Sequence, residues 1–241
     1  MQTQTPTMTD AMRPPFPAEP GAGVYSNKLG MWVFLASDVM FFTALIGSYI
    51  VLRFGMASSW AQPGAVLNVP LTGLNTFLLI CSSVSMVKAY AAIADGKKYF
   101  LRQVPGKRLQ DGGLKFWLLI TIICGAGFVG VQLVEYIKLV GEGFTPSGYR
   151  EGSLLAEHAL ADPVKYGAGV AGMYGSTFFT MTGFHGFHVT CGVISMLYLY
   201  FTKVLPEKYS PQDYRGIEVI GLYWHFVDLV WIILFTIVYL I

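Results

Sequence analysis

The chain of 241 residues is 54% hydrophobic and only 12% charged, with a formal net charge of +2. Soluble domains carry about 25% charged residues, so this composition argues against a soluble enzyme and favours a polytopic membrane protein. The small net charge offers no basic surface for nucleic acid, and we expect no such partner. The cysteines lie in apolar runs without a CxxC spacing, which argues against a disulfide framework or a zinc site; they are Cys81, Cys124 and Cys191.

Residues 1–28 form a polar, proline-rich segment, which we interpret as an N-terminal tail that is disordered or lies on the surface. No basic region leads into a short apolar core with a cleavage site, so the pattern is not that of a removable signal peptide. The remainder, residues 29–241, is predicted to form one membrane domain.

Five apolar segments of this domain are each long enough to cross a bilayer, which takes about 20 residues in a helix. We therefore predict an all-α fold, a polytopic membrane helix bundle with five transmembrane helices. The predicted spans are about 29–53, 70–93, 114–140, 173–202 and 216–241. The loop 141–172 is longer than a helix connection requires, and we expect a short surface helix over 154–160.

The basic residues are distributed unevenly between the two ends of the predicted bundle. The tail and the loops after the second and fourth spans carry most of the Lys and Arg, including Lys97, Lys98, Arg102, Lys107 and Arg108. An excess of Lys and Arg marks the cytoplasmic side of a membrane protein. We therefore expect a cytoplasmic N-terminus and a C-terminus on the outside.

The fourth predicted span contains a stretch, 174–200, without any Asp, Glu, Lys or Arg. His185 and His188 share one helical face because they are three residues apart. Small or polar residues continue this stripe, and such residues in lipid favour close helix packing and need partners. We predict that the stripe faces protein; its other members are Thr177, Met181, Gly192 and Ser195.

Ionisable residues inside spans are costly in lipid and are candidate functional groups. Here they are Asp38, Glu135, His185, His188 and Asp228, with His225 near the start of the fifth span. We expect them to pair with one another, for example Glu135 with a histidine of the fourth span, or His225 with Asp228. The aromatic run 223–231 favours an interfacial belt combined with packing.

Metal or haem ligation is the alternative interpretation of the histidines. Transition-metal sites usually need three or four ligands, and a haem between helices needs histidines on two facing helices. His225 is expected near the membrane edge, whereas His185 and His188 lie about midway along their span. We therefore predict no metal site and no haem in this chain.

Asp38 lies about 14 Å into its span at about 1.5 Å per residue. That depth is near the middle of a hydrocarbon core about 30 Å thick. No Lys or Arg lies at a matching depth, so we expect Asp38 to be protonated or hydrogen-bonded to a polar group such as a histidine.

Four segments together resemble subunit III of the haem–copper oxidases. YGSTFFTMTGFHGFHV at 174–189 resembles the signature of that family, and YWHFVDLVWIILF at 223–235 is similar to its last helix. LGMWVFLASDVMFF at 29–42 resembles its Ser-acid-x-x-Phe-Phe segment, and QLVEY at 132–136 its Gln-x-x-Glu-Tyr motif. Their order and spacing agree with the family, and the similar segments cover roughly two thirds of the chain.

The resemblance implies the five-helix form of the family, a subunit without a redox centre of its own. Such a subunit packs on subunit I, holds phospholipid in a cleft between helix groups and supports proton uptake. Haem and copper then belong to partner subunits I and II, and the complex lies in a bacterial inner membrane. The resemblance places the carboxyl of Asp38, often a glutamate in the family, at the lipid-filled cleft facing subunit I.

Three readings of the function follow. The first is a subunit of a terminal oxidase, with cytochrome c favoured over quinol as the electron donor. The second is the similar accessory protein of nitric oxide reductase. The third is an independent proton-coupled transporter, although the sequence has neither the inverted repeat nor the broken helices common in transporters.

Overall fold

The computed structural model describes residues 25–56, 60–62, 64–103, 110–210 and 213–240. Residues 1–24 of the predicted tail therefore lie outside the described residues. Its last residues, 26–28, are not part of a tail, because they form the first turn of the first helix.

Five long helices confirm the predicted membrane bundle. They are α1 (Ser26–Gly55), α2 (Val69–Ala94), α3 (Leu114–Gly141), α5 (Ala171–Leu199) and α6 (Arg215–Phe235). Helix α5 continues through a π-helical turn over Tyr200–Val204, and α6 through another over Thr236–Leu240. All five are long and apolar enough to cross a membrane. The bounds differ from the predicted spans by only a few residues.

The polar residues that flank the helices explain where two of them begin. The side chain of Asn68 accepts a hydrogen bond from the backbone N–H of Leu71 at 3.2 Å and so caps α2. Ser153 caps the short helix α4 (Leu154–Ala161) in the same way, through the N–H of Ala156. Such side-chain oxygens satisfy amides that have no partner inside the helix.

Helix α6 lies at the centre of the bundle and contacts α1, α2 and α5, while α2 packs most extensively on α3. Half of the most apolar stretch of α6 is buried, against 11% for α1, so α1 is the peripheral helix. Trp224 and Trp231 of α6 are each 1% exposed and belong to the core. Of the expected combination of interfacial belt and packing, Trp224 and Trp231 confirm the packing, because they fill the space between helices.

The loops contain two small hairpins that the sequence did not predict. Strands β1 (Leu101–Gln103) and β2 (Gln110–Gly112) pair in the basic loop, and β3 (Phe144–Thr145) pairs with β4 (Gly148–Tyr149) after α3. Helix α4 confirms the short helix expected over 154–160.

The loop between α3 and α5 is closed by its own hydrogen bonds. The Tyr149 hydroxyl donates to the carbonyl of Tyr166 at 2.5 Å, and burial raises the pKa of Tyr149 to about 12. The amide of Gln62 donates to the carbonyl of Lys165 at 2.9 Å, which joins this loop to the α1–α2 loop. The long loop is thus a folded cover over one end of the bundle.

Candidate functional site

The polar stripe of α5 faces protein over most of its length, as predicted. Met181, His185 and Gly192 are buried, and His188 is half-buried. Ser195, at the far end of the stripe, is exposed, so the prediction fails for that residue. The stripe therefore presents two histidines to neighbouring helices near the middle of the bundle.

Asp38 and His188 meet where α1 lies against α5. Oδ2 of Asp38 is 3.5 Å from Nε2 of His188, and the two side chains are only 12% and 14% exposed. Nδ1 of His188 lies 2.7 Å from the carbonyl oxygen of Phe184, one turn earlier in α5. The ring of Phe42 packs edge-on against the imidazole at 5.2 Å and shields the pair. Asp38 thus lies beside a histidine, one of the partners that we expected.

This geometry constrains how many protons the pair holds. A carbonyl oxygen can only accept, so Nδ1 of His188 carries a proton and donates it to Phe184. Nε2 is then either an acceptor facing a protonated Asp38 or a second donor facing an ionised one. An ionised carboxylate against an unprotonated Nε2 would put two lone pairs together. The favourable arrangements are therefore those in which one of the two facing atoms carries a proton, while at 3.5 Å Oδ2 of Asp38 makes no hydrogen bond among the described residues.

His185 lies in a different environment from its neighbour three residues later. It is fully buried, stacks on Trp231 with ring centroids 4.7 Å apart, and meets the edge of Phe128 at 5.8 Å. Neither of its ring nitrogens has a hydrogen-bond partner among the described residues. An imidazole enclosed by aromatic rings is a neutral packing group, so His185 belongs to the α3–α5–α6 core.

Glu135 does not pair with a histidine, so that expected contact is wrong. Its Oε1 accepts a hydrogen bond from the Thr72 hydroxyl of α2 at 3.1 Å. Its neighbours in the same motif reach the opposite way, toward α5. Gln132 Nε2 donates to the carbonyl of Thr182 at 2.8 Å, and the Tyr136 hydroxyl contacts the Thr182 hydroxyl. The motif therefore holds α3 to both neighbours.

His225 and Asp228 are joined through a third residue. The Ser83 hydroxyl of α2 lies 2.8 Å from Nδ1 of His225 and also influences the carboxyl of Asp228, one turn further along α6. His225 was expected near the membrane edge, but it lies about 15 Å from the start of α6 at about 1.5 Å per residue. The two residues thus form a cluster at the α2–α6 contact, near the middle of α6.

Hydroxyl and amide groups of α2 are hydrogen-bond partners for many polar groups in the core. They had no predicted role. Trp224 Nε1 donates to Ser82, and Trp231 Nε1 donates to Thr76, each at 2.9 Å. Asn75 donates to the carbonyl of Phe128 at 3.2 Å. The richness of α2 in Ser and Thr was the available signal, because such residues in lipid need partners across helices.

No group of three or more His, Cys, Asp or Glu side chains within the described ranges is arranged to hold a metal ion. The six candidate residues therefore separate by their contacts into the Asp38–His188 pair between α1 and α5, His185 among aromatic rings, Glu135 bonded to α2, and His225 with Asp228 at the α2–α6 contact.

Comparison with known proteins assigns the family. The family model described as "Cytochrome c oxidase subunit III" matches residues 167–241, which include α5 and α6. "Cytochrome c oxidase subunit 3" of Thermostichus vulcanus is 32% identical over 88% of this chain and 86% of that protein. The chain belongs to the subunit III family of the haem–copper oxidases. This subunit III is a multi-pass membrane protein and works within an oxidase complex with other subunits.

Relatives of this subunit III have names that include both types of electron donor. "Cytochrome bo(3) ubiquinol oxidase subunit 3" of Pseudomonas putida is 30% identical over 88% of this chain and 84% of that protein. "Probable quinol oxidase subunit 3" of Staphylococcus haemolyticus is 29% identical over 89% of both. The relatives support a subunit III of a haem–copper terminal oxidase and give no support to the reductase or transporter readings.

Proposed function

We propose that this subunit III is a non-redox accessory subunit that stabilises subunit I and supports proton uptake by it during aerobic electron transport. The Asp38–His188 pair carries the proposal, because it brings a buried carboxyl within 3.5 Å of an imidazole between α1 and α5. Intramembrane ionisable residues commonly mark proton pathways. Asp38 lies on α1, the long helix that its own chain covers least.

The exposed apolar side of α1 supports contact with other subunits or with lipid. Val33, Met40, Val51 and Phe54 are each more than half exposed in the isolated chain. Subunit I is the proposed direct partner, with subunit II and the remaining subunits in the same complex. Haem and copper are assigned to those partners, and cytochrome c is the proposed electron donor.

Purification of the complex from native membranes tests this assignment. We expect this chain to co-purify with subunits that contain haem a and copper, and the complex to oxidise cytochrome c. The chain expressed alone should show neither a Soret band nor a stoichiometric transition metal. Co-purification with haem b and non-haem iron would support the reductase reading instead, and a solitary chain with uptake activity would support the transporter.

We further propose a phospholipid site in a cavity of about 490 Å³ between α5 and α6, beside the start of α1. Its walls include Ile194, Tyr198 and Ile220, while Asn27 and Arg215 lie at its polar end. Arg215 contacts Asp213 at 3.1 Å and the ring of Tyr25. A guanidinium above apolar walls suits a lipid phosphate with its acyl chains.

Replacing Arg215 with glutamine should reduce the amount of phospholipid that the purified complex retains, because the phosphate loses its charge-assisted hydrogen bonds. The matched control is Lys203→Gln, which removes an exposed charge at the same end of the bundle but outside the cavity. Lipid is counted by mass spectrometry of the intact complex. Equal retention in both variants would contradict the site.

The location and orientation are also proposals. We propose a bacterial inner membrane, with the N-terminus in the cytoplasm and the C-terminus outside, on the distribution of Lys and Arg. A reporter enzyme that is active only outside the cytoplasm should be active when fused after residue 241. An inactive reporter there, together with an active one fused before residue 1, would reverse the orientation.

A further inference from the structure

A second groove, of about 240 Å³, lies between α2 and α6. Tyr90 and Glu218 line it near the end of α2 and the start of α6, and His225 lines it about 10 Å further along α6 at about 1.5 Å per residue. Apolar side chains such as Met86 and Leu222 form the rest of its wall. The groove therefore leads from one surface of the bundle to a half-buried histidine.

The mouth of the groove carries fixed charges. The carboxyl of Glu218 accepts hydrogen bonds from the Lys28 ammonium at 2.5 Å and from the Tyr25 hydroxyl at 3.0 Å. From α2, Tyr90 faces the same opening and packs against the ring of Tyr214 at 5.4 Å. These groups keep the mouth polar, whereas His225 is the polar side chain that lines the inner part of the groove.

Behind His225 a chain of polar side chains continues into the protein. Nδ1 of His225 meets the Ser83 hydroxyl at 2.8 Å, and Asp228, whose carboxyl Ser83 influences, lies one turn after His225 on α6. Asp228 is 6% exposed, and its Oδ1 is buried with no hydrogen-bond partner among the described residues. Each member of this chain can both accept and release a proton.

We propose that the groove, His225, Ser83 and Asp228 form a proton-exchange route from that surface to the buried Asp228 carboxylate. Nε2 of His225 takes a proton from water that has entered the groove, and Nδ1 releases its own proton to Ser83 Oγ. Ser83 passes its hydroxyl proton to the carboxylate of Asp228, so one proton moves in and each intermediate group regains its proton count. The reverse sequence returns the proton to the surface.

The contacts favour a proton over other ligands. The inner groove has apolar walls and a single heteroaromatic nitrogen, which disfavours a hydrated metal ion or an anion. The route is also distinct from the Asp38–His188 pair, because it lies between α2 and α6 and not between α1 and α5. It therefore goes beyond the proposed function and does not depend on it.

Infrared spectroscopy of the intact purified complex tests the route through the C=O stretch of protonated Asp228, identified by its loss in Asp228→Asn. After transfer to D2O we expect this band to shift quickly in the parent. In Ser83→Ala and in His225→Phe the shift should be at least about tenfold slower, because the relay is interrupted.

Ser82→Ala is the matched control, since Ser82 precedes Ser83 on α2 but bonds to Trp224 instead of to the route. We expect it to exchange like the parent. Exchange at the parental rate in Ser83→Ala and His225→Phe would overturn the proposal. The absence of any Asp228-dependent carboxyl band across the pH range in which the complex is stable would also overturn it.

Discussion

Replacing Gly125 with alanine should sharply reduce the yield and thermal stability of the assembled complex, whereas Gly127→Ala should not. A Cβ at Gly125 would lie 2.5 Å from Cη2 of Trp224 and 3.0 Å from Cγ2 of Val193. Trp224 is fully enclosed and its Nε1 is held by Ser82, so the ring cannot move away freely. Overpacking of this kind costs about 1–3 kcal/mol.

Gly127 provides the matched control on the same helix, because no atom lies within 4 Å of the position where its Cβ would be. Both substitutions gain the same helix propensity, about 1 kcal/mol. Their difference therefore isolates the contact with Trp224. The complex yield and the temperature of half-unfolding are the measurements, and equal values for the two variants would show that Trp224 adapts without cost.

The number, length and order of the long helices were predictable because each span is a continuous apolar run. A run of this kind must form a helix in lipid, where every backbone amide needs an internal partner. The short hairpins were not predictable, since strands of two or three residues have no alternating pattern. Hairpin β1–β2 depends on local contacts, such as the hydrogen bond from Trp117 Nε1 to the carbonyl of Gly112.

The candidate residues were predictable, but their partners were not. An ionisable side chain in a span is visible in the sequence, whereas the neighbour that it meets depends on helix order and rotation. We expected Glu135 of α3 to pair with a histidine of α5. Its carboxyl instead faces α2 and accepts a hydrogen bond from Thr72. Of the two histidines of α5, His188 lies beside Asp38, because α1 packs against α5.

Depth along α6 was misjudged for a related reason. His225 was expected at the membrane edge because it was predicted near the start of the fifth span, and the aromatic residues around it were interpreted as an interfacial belt combined with packing. Trp224 and Trp231 are instead buried donors to Ser82 and Thr76 of α2. Sequence alone does not separate an aromatic side chain at an interface from one in a core, because both bury the ring and satisfy the N–H group.

The Asp38–His188 pair should show strong energetic coupling. In His188→Leu the buried Asp38 loses the imidazole that lies 3.5 Å from its Oδ2, which costs about 1–3 kcal/mol. We expect a lower yield of the complete complex, with an unchanged haem spectrum in the molecules that assemble. The double variant Asp38→Leu with His188→Leu should recover much of the yield, since an apolar pair leaves no buried group unsatisfied. A double variant as poor as His188→Leu would argue that the pair is not the cause.

The substitution Asp38→Asn keeps the shape of the side chain but removes its ionisable proton, and so tests whether that proton matters. The amide of asparagine can donate to Nε2 of His188 and so retain the contact, but it has no transferable proton. Hydrophobic carbodiimides attack protonated carboxyls in lipid, and we expect them to label Asp38 in the parent complex. The asparagine variant should assemble normally, lose this labelling, and take up protons more slowly or inactivate faster during turnover.

Mass spectrometry of the modified chain identifies the labelled residue, and the rate of proton uptake by the complex gives the functional result. Glu135→Gln is the matched control, because Glu135 is also a buried carboxyl but bonds to Thr72. It should leave the labelling of Asp38 intact. If the asparagine variant loses the label but retains parental uptake and durability, Asp38 is a neutral packing acid. If labelling persists at another residue and both properties are unchanged, the pair holds no reactive proton, and the proposed role in proton uptake fails with it.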